Sequence, residues 1–118
     1  MPSPDLSVLT VELNGHPDWD KIRAYLKRKG NATYTVSTMK DAYRALRDRP
    51  LNIVLSEFSP DRKGSLSFLR RIKSIKPHVE VIFLTDKVPL SRAIEAMKEG
   101  AYDFYEFPID PRLLMTVI

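Results

Sequence analysis

The stretch "VEVIFLTDKVPLSRAIEAMKEGAYDFYEFP", Val79 to Pro108, decides the fold. Val79 to Leu84 is nearly continuous apolar sequence, the pattern of a central parallel strand covered on both faces. Thr85 closes that strand. Leu90, Ala93, Ile94 and Met97 then recur at helical spacing and predict a helix with these four as its core-facing stripe, ended by Gly100. Ala101 to Tyr105 reads as a further strand, stopped at Phe107-Pro108. A strand, a helix and a strand joined by short turns form one βα repeat of a parallel sheet.

The same alternation runs outward to the N-terminus. Leu6 to Leu13 is a β-rich run, and Trp19, Ile22, Tyr25 and Leu26 mark a helix face that stops at Gly30. Thr33 to Val36 is a short strand. Thr38 is a good N-cap with Asp41 three residues on, and Met39, Ala42, Tyr43 and Leu46 form one stripe before Pro50. Ile53 to Leu55 reads as a buried strand, and a loop with Pro60 and Gly64 leads to a helix whose inward face is Leu66, Leu69, Ile72 and Ile75. After the quoted stretch, Asp110 is placed to cap a last helix with Pro111 at its first position. Five βα units in a row predict an α/β fold with helices on both faces of a parallel sheet. In such sheets the working site lies at the carboxyl ends of the strands. Those ends are Val11 to Asn14, Leu55 to Phe58, Leu84 to Asp86 and Tyr105 to Phe107.

A chain of 118 residues, 43% hydrophobic, is long enough for one core and too short for two. The absence of cysteine excludes disulfides, cysteine-ligated zinc and thiol catalysis, and two histidines are too few for a histidine-rich metal site. No apolar run has the length of a membrane span, and the N-terminus lacks a signal-peptide pattern, so a cytoplasmic protein with no membrane contact is expected. The net charge of +4 comes from clusters at Lys27-Arg28-Lys29, Arg44-Arg47-Arg49 and Arg70-Arg71-Lys73-Lys76, which fall on polar helix faces. Glycine-rich dinucleotide and triphosphate motifs are absent. Ser56, Ser59, Ser65 and Ser67 gather near the strand ends, but no histidine lies in a matching loop to activate them.

"FLRRIKSIKP", "VIFLT" and "AIEAMKEGAYDF", in this order and spacing, resemble the receiver domains of bacterial response regulators, most closely those of enhancer-binding transcription activators. The resemblance covers nearly the whole chain. It implies a flavodoxin-like (βα)5 three-layer sandwich, with a five-stranded parallel sheet in the order 2-1-3-4-5. It also implies a phosphotransfer site, and here the sequence departs from the family. An aspartate is required at the end of the third strand. Counting back from the third helix puts Glu57 there, whereas anchoring on Pro60 puts Ser56 there. Glu57 either mimics a charged, phosphorylated state or is a tolerated solvent-facing side chain.

The family binds Mg²⁺ through a pair of acids after the first strand; in "VELNGHPD" either Glu12 or Asn14 falls at that position, a degenerate acidic pocket from which no metal site is expected. The family lysine before the last proline is replaced by Phe107, which is expected to fill the pocket beside Leu13 and Phe58 and to keep a cis bond to Pro108. Thr85 stands at one switch position and Phe104 at the other, where a buried ring is expected. Asp86, at the pocket mouth, would repel an anionic phosphodonor.

The resemblance thus implies a pseudo-receiver: a regulatory and interaction domain, not an enzyme, without catalytic residues or cofactor, whose phosphorylation chemistry is dismantled. The family's interaction face maps to Arg92, Glu95, Lys98, Glu99, Tyr102 and Tyr105. Residues 1–118 would be one domain, cut from the N-terminal part of a longer protein, because the last helix is short. Its partner would be another protein or an attached output domain, with a homodimer as a further option and nucleic acid reached only through the attached domain. Two rival readings are phosphorylation at an atypical residue such as Ser56, and direct nucleic-acid binding by the basic helices.

Overall fold

A computed structural model describes residues 6–59 and 63–117. Pro60 and the chain end at Ile118 fall outside them. The elements alternate throughout: β1 (Ser7–Val11), α1 (Asp18–Arg28), β2 (Ala32–Val36), α2 (Met39–Asp48), β3 (Ile53–Glu57), α3 (Lys63–Ile75), β4 (Glu80–Thr85), α4 (Leu90–Lys98), β5 (Asp103–Glu106) and α5 (Pro111–Val117). All strand pairs are parallel, in the order β2-β1-β3-β4-β5. This is the expected flavodoxin-like sandwich, with β2 and β5 at the edges and β3 in the centre.

Strand alternation sends successive side chains to opposite faces, and each face has its own core. Leu9, Val11, Val54, Phe58, Val81 and Phe83 point to the side covered by α2, α3 and α4. Val8, Ile53, Leu55, Ile82 and Leu84 point to the side covered by α1 and α5, where Trp19, Ile22, Leu26 and Leu114 meet them. Local signals set the boundaries. The Thr38 hydroxyl accepts the Asp41 amide at 3.1 Å, a cap that stabilises α2 by about 1 kcal/mol. The Asp110 carboxylate accepts the Arg112 amide at 3.0 Å ahead of α5. Gly100 ends α4 at φ +107, a conformation that a side chain would strain.

The structure corrects the apolar stripe of α4. Leu90 is 73% exposed, Ile94 and Met97 are nearly half exposed, and the buried residue of this helix is Ala96. A small residue lets the helix lie close on the sheet and turns the large side chains outward. Ile75 is likewise 46% exposed, and the inward face of α3 includes Phe68, which sequence spacing passed over.

Candidate functional site at the strand ends

The carboxyl ends of β1, β3, β4 and β5 and the loops after them enclose a cavity of about 470 Å³. Glu57, Phe58, Thr85, Asp86, Asn14, His16, Phe107 and Arg92 line it. Alternation along the strands explains what each side chain can reach. Ile53, Leu55 and Glu57 share a parity and face α1, as do Thr10 and Glu12 on β1 and the residue that follows it.

Glu57 is 3% exposed, so the solvent-facing reading does not hold. Its Oε1 accepts the Trp19 indole N–H at 2.7 Å and its Oε2 accepts the Asn14 amide at 2.9 Å. Both oxygens are thereby occupied, which offsets the cost of burying a carboxylate without a cation. Glu12 is drawn away from the cavity. One oxygen accepts from the Arg23 guanidinium and the other from the Thr10 hydroxyl at 2.8 Å. The hydrogen bond to Glu12 holds the Arg23 pKa above its usual value. Trp19 and Arg23 are four residues apart and therefore neighbours on one helix face, so α1 holds both acids on adjacent turns.

The residues do not fit the Mg²⁺ that the family resemblance implies. Glu12 faces Arg23, Asn14 contributes its backbone N–H to Glu57, and the Asn14 side chain is exposed. Among the described residues, no group of three or more histidine and acidic side chains is placed to hold a metal ion. Ser56, the alternative acceptor position, is fully buried, and its hydroxyl donates to the Glu57 carbonyl at 2.8 Å.

Phe107 sits where the resemblance expects lysine, and the bond to Pro108 is cis. Its neighbours are not Leu13 and Phe58. Those two pack on the opposite face of the sheet with the α2–α4 core, whereas Phe107 shares the α1 side with Tyr105. The Phe107 ring stacks on His16 at 3.9 Å, nearly parallel, and meets Trp19 edge-on at 6.1 Å. His16 Nδ1 accepts the Asp18 amide at 3.1 Å, and its Nε2 lies 3.9 Å from the exposed Asp86 carboxylate. Trp19, whose spacing in the sequence predicts a helix-face position, and His16 thus belong to the site. The parity of Glu57 and of Phe107 is the signal that points to them.

The switch positions differ in surroundings. Thr85 is buried and lines the cavity, with its carbonyl accepting the Phe107 amide at 2.7 Å. Phe104 is partly buried and lies 5.1 Å from Phe58 and 6.2 Å from Phe83, edge-on to both. Of the expected interaction residues, Tyr102 and Lys98 are exposed, and Arg92 lies 4.0 Å from Glu95 while also reaching the cavity. Glu99 is engaged by Arg70 of α3 at 3.0 Å. The Tyr105 hydroxyl donates to Asp103 at 2.8 Å, and burial, then this bond, pushes its pKa up to about 12.

The strand order and the placing of the cavity at the strand ends define an α/β domain with the flavodoxin-like, CheY-like fold. The family model for the response regulator receiver domain matches residues 18–118, and the chain belongs to that family. It is 34% identical to the regulatory protein LuxO of Vibrio vulnificus over 97 residues, 80% of this chain and 21% of that protein. It is 27% identical to the DNA-binding transcriptional regulator NtrC of Azospirillum brasilense over 94 residues, 79% of this chain and 19% of that protein. The chain therefore spans about a fifth of the length of these relatives. A response regulator receiver domain from Clostridium thermocellum superimposes with a TM-score of 0.82 at 27% identity, covering 95% of this chain and 90% of that one. Among the described residues no helix is long and apolar enough to cross a membrane.

Proposed function

We propose that this receiver domain works as a phosphorylation-independent interaction module, a pseudo-receiver that controls an attached output region through its surface. The observation that carries the reading is the state of Glu57: buried, with both carboxylate oxygens committed to Trp19 and Asn14. A buried carboxylate tethered at both oxygens is held away from the free rotation an in-line attack or a metal ligand needs, and Phe107, stacked on His16, puts an aromatic ring where the family resemblance expects an ammonium. No catalytic step is assigned to the domain. The exposed side of α4, with Leu90, Ile94 and Met97 uncovered, and Tyr102 in the turn before β5 support a protein contact at that surface. The longer relatives, which include a DNA-binding transcriptional regulator, support an output region outside these residues and contact with nucleic acid through that region.

The experiment is intact-mass measurement after incubation with a small acyl phosphate and Mg²⁺. An unchanged mass is expected. Gain of one phosphoryl group would refute the proposal. Phosphorylation at Ser56 is not favoured, because that hydroxyl is fully buried and bonded to the backbone.

A further inference from the structure

On the sheet face opposite α1, helices α2 and α3 pack together, and their seam opens into a surface groove of about 320 Å³. Its floor is apolar and partly open to water. Ile75 is 46% exposed and Tyr43 36%, with the Tyr43 ring standing edge-on to Phe68 at 5.0 Å. Around this floor stand four cations: Lys40, Arg44 and Arg47 from α2, and Arg71 from α3. Asp41 lies 3.7 Å from Arg44, and Asp48 accepts from Arg47 at 2.8 Å. Both pairs are exposed; the long Arg44–Asp41 contact exchanges readily for another carboxylate, whereas Arg47 is held by two hydrogen bonds to Asp48, at 2.8 and 3.2 Å. The side chains of Lys40 and Arg71 make no ion pair or hydrogen bond among the described residues, and Arg71 lies near enough to act on the Tyr43 phenol. Burial raises the Tyr43 pKa above its ordinary value, and the nearby Arg71 charge offsets part of that rise.

Cations around an apolar floor complement an acidic segment that carries an apolar anchor. The geometry points to the α2–α3 groove as a docking site for a glutamate- or aspartate-rich peptide segment of a protein partner, seated by one apolar side chain against Tyr43 and Ile75. The arginines match such a segment because a guanidinium takes a carboxylate through two parallel hydrogen bonds. Duplex nucleic acid fits less well. Its phosphates call for cations spaced along a stripe and make no use of an apolar floor. None of the groove's lining residues belongs to α4. This inference stands independently of the phosphorylation state of the strand-end site.

The test uses the whole chain and a fluorescein-labelled, glutamate-rich peptide with one central leucine, followed by anisotropy at low salt. Saturable binding is expected, about tenfold weaker in the double variant Arg44→Glu, Arg71→Glu and for a peptide with glutamine in place of glutamate. Arg112→Glu, a charge change on α5, should leave it unaltered. Amide shifts of the unsubstituted chain should map to α2 and α3, a readout that needs no variant to fold. The proposal is overturned if the glutamate and glutamine peptides bind alike or if the shifts fall elsewhere. It is also overturned if random duplex DNA binds more tightly than the peptide and is lost in the same double variant, which would make the surface a nucleic-acid site.

Discussion

The strand-end cavity and the outer side of α4 with β5 treat their side chains in opposite ways. At the strand ends, groups suited to chemistry are bonded within the structure: Glu57 on Trp19 and Asn14, Glu12, outside the cavity, on Arg23 and Thr10, and His16 on Phe107. Along α4 and the turn after it, side chains suited to a core are left in water, with Leu90 73% exposed and Ile94, Met97 and, in the turn, Tyr102 each nearly half exposed. Buried polar groups with all partners inside the fold stabilise it and exchange little with solvent. Exposed apolar groups gain free energy only when something covers them. The contrast places buried, internally bonded polar groups at the strand ends and uncovered apolar groups beside them, and it is on the second that the proposed function puts partner binding.

Substitutions can break or sharpen this contrast. The largest effect is expected at Trp19, which is 1% exposed and holds both Glu57 and the Phe107 edge contact. Trp19→Ala should cost about 3–5 kcal/mol in urea unfolding. Trp19→Phe keeps most of the ring but strips one donor from the buried carboxylate, and about 1–3 kcal/mol is expected. If Trp19→Phe were neutral, the indole bond would not be what holds Glu57. Phe107→Ala removes a partly buried ring from His16 and Trp19, for which about 1–2 kcal/mol is expected by thermal or chemical unfolding. No change would mean that the stack contributes nothing to the pocket wall.

On α4 the opposite outcome is expected. Replacing Leu90, Ile94 and Met97 together by serine should alter stability by no more than about 0.5 kcal/mol for each residue, while weakening partner binding or output. A large loss of stability with binding intact would reverse the assignment. The smallest effect concerns Tyr105. Folding raises its pKa from the ordinary value to about 12, so the fold favours the protonated phenol. That contribution is complete below the unfolded value of about 10 and is lost as pH rises through about 12. In an absorbance titration, Tyr105→Phe should remove the last phenol to ionise.

All ten elements and the caps at Thr38 and Asp110 correspond to features legible along the chain, because periodicity, N-caps and glycine stops are local, whereas the sheet order is non-local and is implied only by the resemblance to receiver domains. Periodicity detects an apolar stripe but not which way it faces. In α4 the small Ala96 packs on the sheet, and the larger stripe of Leu90, Ile94 and Met97 turns outward. Partners of the site residues were less legible still, since Glu57 meets Trp19 across 38 residues of chain. Strand parity carried part of that information. Phe58 and Leu13 belong to one face of the sheet and Glu57 and Phe107 to the other, which places Phe107 beside Trp19. That Arg23 would claim Glu12 follows from the register of α1 on β1, which no local pattern specifies.

Trp19 is the single tryptophan of the chain and is bonded to Glu57, so its emission reports directly on the strand-end site. The most direct measurement is a titration of that emission with Mg²⁺ and a small acyl phosphate, together with intact mass on the same samples. A site closed on itself predicts flat fluorescence through millimolar Mg²⁺ and an unchanged mass. A saturable change in emission accompanied by gain of one phosphoryl group would contradict it, since Glu57 and its neighbours would then form a working phosphotransfer site.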